Sequence, residues 1–274
     1  MSTDWKHPEI QDAIRRALEE DIGSGDVTTE ACVPEDLRAR GYFLTREPMT
    51  LAGVELLPQI YDTEHVELLA ASGDRTRAEQ VIARVQGKAR WLLTLERTAL
   101  NFLQRLSGVA TLARQYTEAV EDTGCKVLDT RKTTPGLRRL EKLAACAGGV
   151  VNHRIGLFDA ILIKNNHITA AGDVAEALKR VSSKNMPVEI EVRSFSELEQ
   201  ALAGGAQHLL LDNFSPDDAR KAVHKIAGRA KVEISGGVTL ENVRAYAETG
   251  ADFVSVGAIT HSARAMDISF RLEN

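Results

Sequence analysis

Several features are scarce in this sequence of 274 residues, and each scarcity argues against a class of protein. It has three cysteines, an odd number without C-x-x-C spacing, which argues against a disulfide framework and against a cysteine zinc site. No apolar run approaches the ~20 residues that span a bilayer, and the opening MSTDWKHPEI is polar. The sequence therefore predicts a cytoplasmic protein with buried, reduced thiols and no membrane segment.

Basic residues are also fewer than acidic residues in the whole sequence. The 34 Lys and Arg are outnumbered by 39 Asp and Glu, so the net charge is -5 and neither nucleic acid nor an anionic membrane is expected as a partner. The stretch from Cys125 to His167 reverses this balance. Its cations are Lys126, Arg131, Lys132, Arg138, Arg139, Lys142, Arg154 and Lys164, and its acids are Asp129, Glu141 and Asp159. Such a concentration of cations in an acidic protein predicts a small, strongly anionic ligand.

The second half of the chain alternates between strands and helices. Six short β-rich runs are present: KVLDTR (126–131), DAILIK (159–164), VEIEV (188–192), HLLLD (208–212), KVEIS (231–235) and FVSVG (253–257). Amphipathic segments of helix length separate most of them, which is typical of a parallel sheet covered by helices. Equivalent positions recur every 21 to 23 residues from Glu191 to Gly257, and this even spacing favours a TIM-like barrel with fewer than eight strands.

The first hundred residues lack this rhythm. HPEIQDAIRRALEEDIG predicts a helix ending at Gly23, and a turn-rich connection, GDVTTEACVPED, leads to scattered strand-like runs that include MTLAGVELL. This pattern predicts a separate α+β domain over residues 1–105. A long helical pattern from Trp91 to Val120, with a break near Gly108, would connect it to an α/β barrel domain over residues 106–265.

Charged residues and glycines stand at the ends of successive strand runs. In parallel α/β folds these ends face the ligand, so they are expected to share one mouth. They are Arg131 with Lys132, Lys164, Glu191, Asp212, Ser235 with Gly236 and Gly237, and Gly257. A single charged residue of this kind is usually a solvated loop residue. Its repetition at the same place in successive units predicts a binding site.

The residue types at this mouth suggest roles. Arg131 and Arg154 suit planar carboxylates, whereas Lys132 and Lys164 suit phosphates as point charges. Single carboxylates at Glu191 and Asp212 suit Mg²⁺ held directly or through water, or a developing positive charge on a sugar. His153 beside Arg154 is a candidate ligand contact; His167 is either a ligand contact, a helix cap or a hydrogen-bonded structural residue.

Two glycine-rich turns, SGGV (235–238) and SVGA (255–258), follow the last two strands. Backbone N–H groups at this position of a barrel commonly hold a phosphate, and a helix beginning at Thr239 would add the positive end of its dipole. Ordinary turns between a strand and a helix also favour glycine.

Several longer strings make the sequence recognisable. EDIGSGDVTT, ERTALNFLQRLSG, DTRKTTPGLR, NHRIGLFDAILIKNNHI, VEIEV, LLLDNFSP, EISGGV and DFVSVGAITHS resemble, in the same order and over essentially the whole chain, the quinolinate phosphoribosyltransferase family. The succession of TRKTTPG, HR-x-GL-x-D and K-x-N-H is highly specific. One departure is Asn165, where relatives usually carry Asp or Glu.

The resemblance implies an incomplete, roughly seven-stranded α/β barrel with an N-terminal α+β domain, which the C-terminal tail (266–274) rejoins. It implies an assembly of two or more copies with shared active sites. Arg131, His153, Arg154 and Lys164 would bind quinolinate with Arg97 of the neighbouring subunit. Lys132, Glu191 and Asp212 would serve phosphoribosyl pyrophosphate and Mg²⁺, with Lys132, Lys164, Glu191 and Asp212 as the catalytic set. Thr130, Ser235, Gly236, Gly237, Ser255, Val256 and Gly257 would complete the substrate contacts.

Three alternatives remain open from the sequence. A related phosphoribosyltransferase would use another acceptor, although several cations aimed at two carboxylates favour quinolinate. A phosphosugar aldolase or isomerase would use Lys164 as a Schiff-base amine. A catalytically silent barrel would only bind a phosphorylated metabolite, but it would be expected to lack Glu191 and Asp212.

Overall fold

The computed structural model describes residues 4–273, so residues 1–3 and 274 of the predicted N-terminal domain and tail lie outside the described part. The chain divides into two compact units. The first comprises Met1–Arg114, Thr133–Gly149 and Ile259–Asn274, and the second comprises Gln115–Lys132 and Val150–Ala258. The boundary between residues 105 and 106 stays a prediction.

The described residues form helices and strands in both units. The helices are α1 (Pro8–Ile22), α2 (Val27–Cys32), α3 (Leu57–Ile60), α4 (Ala89–Ala119), α5 (Arg138–Ala147), α6 (Asn165–Ala171), α7 (Val174–Val181), α8 (Phe195–Ala203), α9 (Pro216–Ile226), α10 (Val243–Ala247) and α11 (Ala258–His261). The strands are β1 (Arg38–Thr45), β2 (Met49–Thr50), β3 (His65–Leu68), β4 (Arg75–Thr76), β5 (Gln80–Lys88), β6 (Lys126–Leu128), β7 (Ile161–Ile163), β8 (Val188–Val192), β9 (His208–Asp212), β10 (Lys231–Ser235), β11 (Phe253–Ser255) and β12 (Ile268–Leu272).

The first unit is built on an antiparallel sheet with the strand order β12-β1-β5-β3. Its apolar side includes Phe43, which is fully buried and lies 5.0 Å from the ring of Phe270 and 6.1 Å from that of Tyr61. The predicted α+β character of the N-terminal part is confirmed. Two local predictions are wrong: the turn-rich connection contains α2, and MTLAGVELL forms only the short β2 before a 3-10 turn and α3.

Helix α4 is unbroken, so the break predicted near Gly108 is wrong. Glycine is needed here for a different reason. A Cβ at this position would overlap the backbone carbonyl oxygen of Arg264, which lies far along the chain in the same unit. Gly108 therefore permits a close backbone approach, and this is worth more than the roughly 1 kcal/mol by which glycine weakens a helix.

A buried ion pair connects three segments of the first unit. Glu141 is fully buried on α5 and accepts hydrogen bonds from Arg105 Nε and Nη2 of α4, at 3.1 and 2.7 Å. It also accepts from Thr134 N and Oγ1, at 2.9 and 2.7 Å. Arg105 donates further to the carbonyls of Thr260 and Ala263. Each polar group of this network is satisfied by another, as burial requires.

Glu141→Ala is expected to lower the free energy of unfolding by about 3 kcal/mol, because it leaves a guanidinium and two Thr134 donors without their acceptor. Urea unfolding of the full chain measures the loss. Glu141→Gln is the matched control, since it retains the volume and one acceptor and is expected to lose less. Equal losses in both variants would contradict the role assigned to the carboxylate.

The second unit is built on a parallel sheet with the order β6-β11-β10-β9-β8-β7. Its strands lie within the six predicted runs, and β8, β9 and β10 match them residue for residue. Val151 adds a single parallel bridge to Leu128 on the outer side of β6. No pairing among the described strands closes this sheet. The predicted fold class is confirmed in the form of an open parallel α/β sheet with an antiparallel N-terminal unit.

No helix formed by residues 4–273 combines the length and the apolar character needed to cross a membrane.

Candidate active site

The parallel sheet has one apolar face and one face that carries acids. In β8, Ile190 and Val192 are fully buried on one side, and Glu189 and Glu191 alternate onto the other. The register continues this pattern, because Glu191 lies opposite Leu210 and Leu210 opposite Glu233. Two residues further along, Asp212 lies opposite Ser235, so three neighbouring strands direct polar side chains from this face.

The structure places the predicted site residues of the second unit at one edge of this sheet. Lys164, Glu191, Asp212 and Ser235 lie at the carboxyl ends of β7, β8, β9 and β10. The others lie in the connections that follow β6, the Val151 bridge, β10 and β11 or at the end of β11: Thr130, Arg131, Lys132, His153, Arg154, Gly236, Gly237, Ser255, Val256 and Gly257. This arrangement follows from parallel strands, whose carboxyl ends share an edge.

Arg97 is the exception. It lies on α4 in the first unit, is exposed, and forms no ion pair with another residue of the described range. Glu96 beside it has a raised pKa because it is partly buried, and the charge of Arg97 opposes that rise. The guanidinium of Arg97 is therefore available to a ligand or to another molecule.

The cations of the second unit face one another. Burial lowers the pKa of Arg154, the positive charge of Arg131 lowers it further, and Asp159 and Glu189 oppose the change. Arg154 Nη1 donates to the carbonyl of Ala160 at 3.0 Å, and Arg131 Nε is buried without a hydrogen-bond partner in the described residues. Crowded guanidinium groups with an unsatisfied donor form a site suited to an anion.

Glu191 and Asp212 keep part of their coordination capacity. Both are half-buried. Oε1 of Glu191 accepts from the backbone N–H of Asn165 at 3.3 Å, and Oδ2 of Asp212 accepts from Nδ2 of Asn213 at 2.9 Å. One oxygen of each carboxylate has no such bond. Two separate hard-oxygen donors fit Mg²⁺ that is also held by water and substrate phosphates.

Gly236 is required by the geometry of its neighbour. Its φ is 98°, and Asn213, itself in the left-handed region at 58°, donates its N–H to Ser235 O at 2.8 Å. A Cβ at Gly236 would overlap the Asn213 side chain and lie 2.9 Å from its backbone nitrogen. The SGG turn therefore has a packing reason for glycine beside any phosphate contact. The helix predicted at Thr239 is wrong in position, because Thr239 N donates to Asn242 Oδ1 and α10 begins at Val243.

In the SVG turn, two residues have partners within the unit. The Ser255 hydroxyl hydrogen-bonds Glu233, and Val256 N–H donates to Leu128 O at 3.0 Å. The Val256 N–H therefore belongs to the sheet. His167 proves to be a helix cap, since its Nδ1 accepts from Lys164 N at 2.8 Å at the start of α6.

A buried group of acids around His153 was missed from the sequence. Asp129 is fully buried and accepts from His153 N at 2.8 Å and from Asn152 Nδ2 at 2.7 Å. Nε2 of His153 lies 3.1 Å from Glu189 Oε2 and 3.5 Å from Glu233 Oε2. The only signal in the sequence was the position of each glutamate within an apolar strand, two residues before Glu191 and Ser235 respectively.

The two buried glutamates, Glu189 and Glu233, affect each other's pKa. Burial raises the pKa of Glu233, and the negative charge of Glu189 raises it further, whereas His153 and Ser255 oppose the rise. Burial also raises the pKa of Glu189, but His208, a hydrogen bond with Glu233, Arg154 and Lys164 all oppose it. Burial therefore raises the pKa of both glutamates, and the charge of Glu189 adds to the rise at Glu233.

Comparisons with known proteins agree with this arrangement. The family model described as quinolinate phosphoribosyl transferase, N-terminal domain, matches residues 26–107, and the model of the C-terminal domain matches residues 109–271. A Mycobacterium leprae protein named nicotinate-nucleotide pyrophosphorylase [carboxylating] is 42% identical over 284 residues, which cover 99% of this chain and 100% of the relative. A Bacillus subtilis protein, a probable nicotinate-nucleotide pyrophosphorylase [carboxylating], is 38% identical over 96% of this chain and 93% of the relative.

A solved structure is similar over the same extent. That of the nicotinate-nucleotide pyrophosphorylase from Francisella tularensis matches with a TM-score of 0.93 and 39% identity, covering 98% of each chain. Two family models that together span most of the chain, and relatives of this identity over nearly full length, establish the kinship. The chain therefore belongs to the quinolinate phosphoribosyltransferase family.

Proposed function

We propose that this protein joins quinolinate to phosphoribosyl pyrophosphate, forming nicotinate mononucleotide, pyrophosphate and CO₂ in NAD biosynthesis. The observation that carries the proposal is the group of cations at the strand ends, in which Arg131 and Arg154 face each other with a buried unsatisfied donor. Quinolinate carries two carboxylates on a flat ring. Such an anion would relieve the repulsion within this group and supply the missing acceptors.

The chain's own residues divide between the two substrates. Arg131, Arg154 and Lys164 would neutralise the two acceptor carboxylates, with His153 beside them. Lys132 would meet the pyrophosphate, and the SGG and SVG turns would lie against the 5-phosphate. This division places the pyridine ring against the ribose, which is the positioning that the reaction requires.

Glu191 and Asp212 would hold the magnesium ion and face the sugar. When bound, Mg²⁺ would neutralise charge on the departing pyrophosphate. The same carboxylates stabilise the positive charge that develops on the ribose ring as its bond to pyrophosphate weakens. Neither carboxylate forms a salt bridge within the described residues. Both are therefore suited to hold Mg²⁺ and to stabilise the charge on the ribose.

The bond changes are balanced within the two substrates. The pyridine nitrogen forms a bond to the anomeric carbon, and the bond from that carbon to the pyrophosphate oxygen breaks with its electron pair leaving on pyrophosphate. The bond from the adjacent ring carbon to its carboxylate then breaks and CO₂ leaves. The electron pair stays on the ring carbon, where the quaternary nitrogen stabilises it until a proton is taken up.

Measuring nicotinate mononucleotide and CO₂ from quinolinate and phosphoribosyl pyrophosphate tests the proposal directly. We expect both products in equal amounts. No product with quinolinate, but turnover with another acceptor, would identify a related phosphoribosyltransferase instead.

Nicotinate is expected to be used at least about 100-fold less efficiently than quinolinate, because the absence of one carboxylate leaves a buried guanidinium unpaired at a loss of about 3 kcal/mol. The comparison is made as kcat/KM for each acceptor at saturating phosphoribosyl pyrophosphate. Arg154→Ala should bring the kcat/KM values for quinolinate and nicotinate closer together. Arg193→Ala, which changes an exposed arginine paired with Glu197, should leave the ratio of these two values unchanged. Comparable turnover of the two acceptors in the unchanged protein would refute the assignment of the cations.

We also propose an assembly of two or more copies in which Arg97 serves the neighbouring copy. A location in the cytoplasm stays a prediction from the sequence.

A further inference from the structure

His153 has both of its ring nitrogens engaged by the chain. Its Nδ1 accepts the backbone N–H of Arg154 at 2.7 Å, so this nitrogen presents a lone pair and carries no proton. Its Nε2 lies 3.1 Å from Glu189 Oε2. A neutral ring whose Nδ1 accepts a hydrogen bond carries its proton on Nε2, so Nε2 donates to Oε2 of Glu189. The geometry therefore assigns His153 as the neutral Nε2–H tautomer.

The backbone at His153 is fixed as firmly as the ring. Asp129 is fully buried, and its two carboxylate oxygens bind His153 N and Asn152 Nδ2. Glu189, only 5% exposed, holds the far side of the ring. The connection that carries Arg154 is thus held between two buried acids from two strands of the sheet. Buried groups with few alternative partners hold a geometry tightly, because any other arrangement leaves a polar atom unsatisfied.

The same group of side chains could be considered as a metal site, since ligand atoms of His153, Glu189 and Glu233 lie within 4.8 Å of one another. The Nδ1 contact argues against this. A neutral histidine that binds a metal through Nε2 carries its proton on Nδ1 and donates it to an outer partner. Here Nδ1 accepts from Arg154 N–H, so Nε2 has a proton and no lone pair for a metal. A hydrogen bond from His153 Nε2 to Glu189 fits both the Nδ1 and the Nε2 contact.

We propose that Glu189 is a positioning residue for the acceptor site: its carboxylate holds His153 as the Nε2–H tautomer, and the Nδ1 lone pair that results fixes the backbone of Arg154. This inference rests on the proposed function, because it assigns Arg154 to the acceptor. Without Glu189, Nε2 would lose its acceptor at 3.1 Å, while Glu233 Oε2 would remain at 3.5 Å, and the proton could move to Nδ1. The Nδ1–H of His153 and the backbone N–H of Arg154 would then both be donors, their hydrogen bond would be lost, and the backbone of Arg154 would shift.

The effect should be confined to one substrate. Arg154 is proposed to bind quinolinate. Of the residues proposed for phosphoribosyl pyrophosphate, Glu191 shares β8 with Glu189, whereas Lys132, Asp212 and the two glycine-rich turns lie at other strand ends. A change at Glu189 that acts through His153 should therefore raise the KM for quinolinate and leave the KM for phosphoribosyl pyrophosphate unchanged. A residue needed only for folding would affect both substrates and the thermal stability together.

The test compares Glu189→Gln with Glu189→Met in the full-length protein. Both replacements have the length of glutamate, but only glutamine retains an oxygen that accepts from Nε2–H. We expect Glu189→Met to raise the KM for quinolinate roughly tenfold, with kcat and the KM for phosphoribosyl pyrophosphate within about twofold of the unchanged protein. Glu189→Gln should remain near the unchanged protein for all three. His208→Gln is a further control, because His208 approaches the other oxygen of Glu189, Oε1, at 3.5 Å.

NMR of protein labelled with ¹⁵N- and ¹³C-histidine reports the tautomer without reference to activity. The signals of His153 are assigned by their absence from His153→Gln. We expect the Nε2–H tautomer in the unchanged protein and in Glu189→Gln, and a shift toward the Nδ1–H tautomer in Glu189→Met. Addition of Zn²⁺ or of chelator should leave these signals in place.

Several results would overturn the inference. They are an Nδ1–H or doubly protonated His153 in the unchanged protein, a His153 signal that responds to metal, and equal KM changes for both substrates in Glu189→Met. Should Glu189→Met fail to fold, Glu189→Leu takes its place in both measurements, because leucine also lacks an acceptor. If the protein made no nicotinate mononucleotide at all, the proposed function would fail, and the tautomer measurement would still show whether Glu189 orients His153.

Discussion

Removal of divalent cations is expected to abolish turnover, and Asp212→Asn is expected to lower kcat at least about 100-fold. The reason is the charge that the reaction separates: pyrophosphate departs as an anion from a ribose that becomes cationic, and metal-assisted charge stabilisation contributes several kcal/mol. Asp212, which we propose faces this charge, lies at the end of β9 with one oxygen bound by Asn213 and the other available. Asparagine retains the shape but not the negative charge.

Two measurements test the role of the metal and the role of Asp212 separately. Initial rates are recorded in excess chelator and again after Mg²⁺ is restored, and quinolinate binding to Asp212→Asn is measured by calorimetry. The affinity for quinolinate should be nearly unchanged, because the acceptor is assigned to the cations. Asp217→Asn is the matched control, since Asp217 is exposed in the first turn of α9 and pairs with Arg220. Full activity in chelator would refute the role of the metal, and an unchanged kcat in Asp212→Asn would refute that of the residue.

The strands and their ends could be predicted from the sequence because their signals are local. An apolar run such as HLLLD, followed by a capped amphipathic helix, identifies a buried parallel strand without reference to the rest of the chain. The charged residue that closes each run is then placed by topology alone. The position of Asp212 beside Ser235 in the register follows from this argument, and so does the shared edge.

Features that depend on distant segments could not be predicted. Gly108 was interpreted as a helix break, but its role depends on Arg264, which the chain brings to α4 only after the whole second unit. Glu189 and Glu233 were overlooked because glutamate within a strand usually marks a solvent-facing position. Their burial depends on His153, which lies on another connection and supplies the partner that makes a buried acid tolerable.

The position of Arg97 raises the question of which chain it serves. It is exposed on α4, and the ion pair with Glu96 or Glu118 that would explain it as a surface residue is not formed within the described range. The family resemblance implies that Arg97 enters the site of a neighbouring copy. In that case a site needs Arg97 from one chain and Lys132 from another, and two inactive variants can complement each other.

Arg97→Ala and Lys132→Ala are each expected to be nearly inactive alone and to recover activity when mixed. Random exchange of equal amounts makes half of the dimers mixed, and one of the two sites in each mixed dimer has both intact residues. About a quarter of the activity of the unchanged protein should therefore return. Native mass spectrometry follows the exchange. A mixture of Lys132→Ala with Asp212→Asn is the control: both residues belong to the second unit, so every site lacks one of them and no activity should return. If subunits exchange and the Arg97→Ala mixture also stays inactive, Arg97 acts within its own chain, and the shared site is wrong even though the family assignment stands.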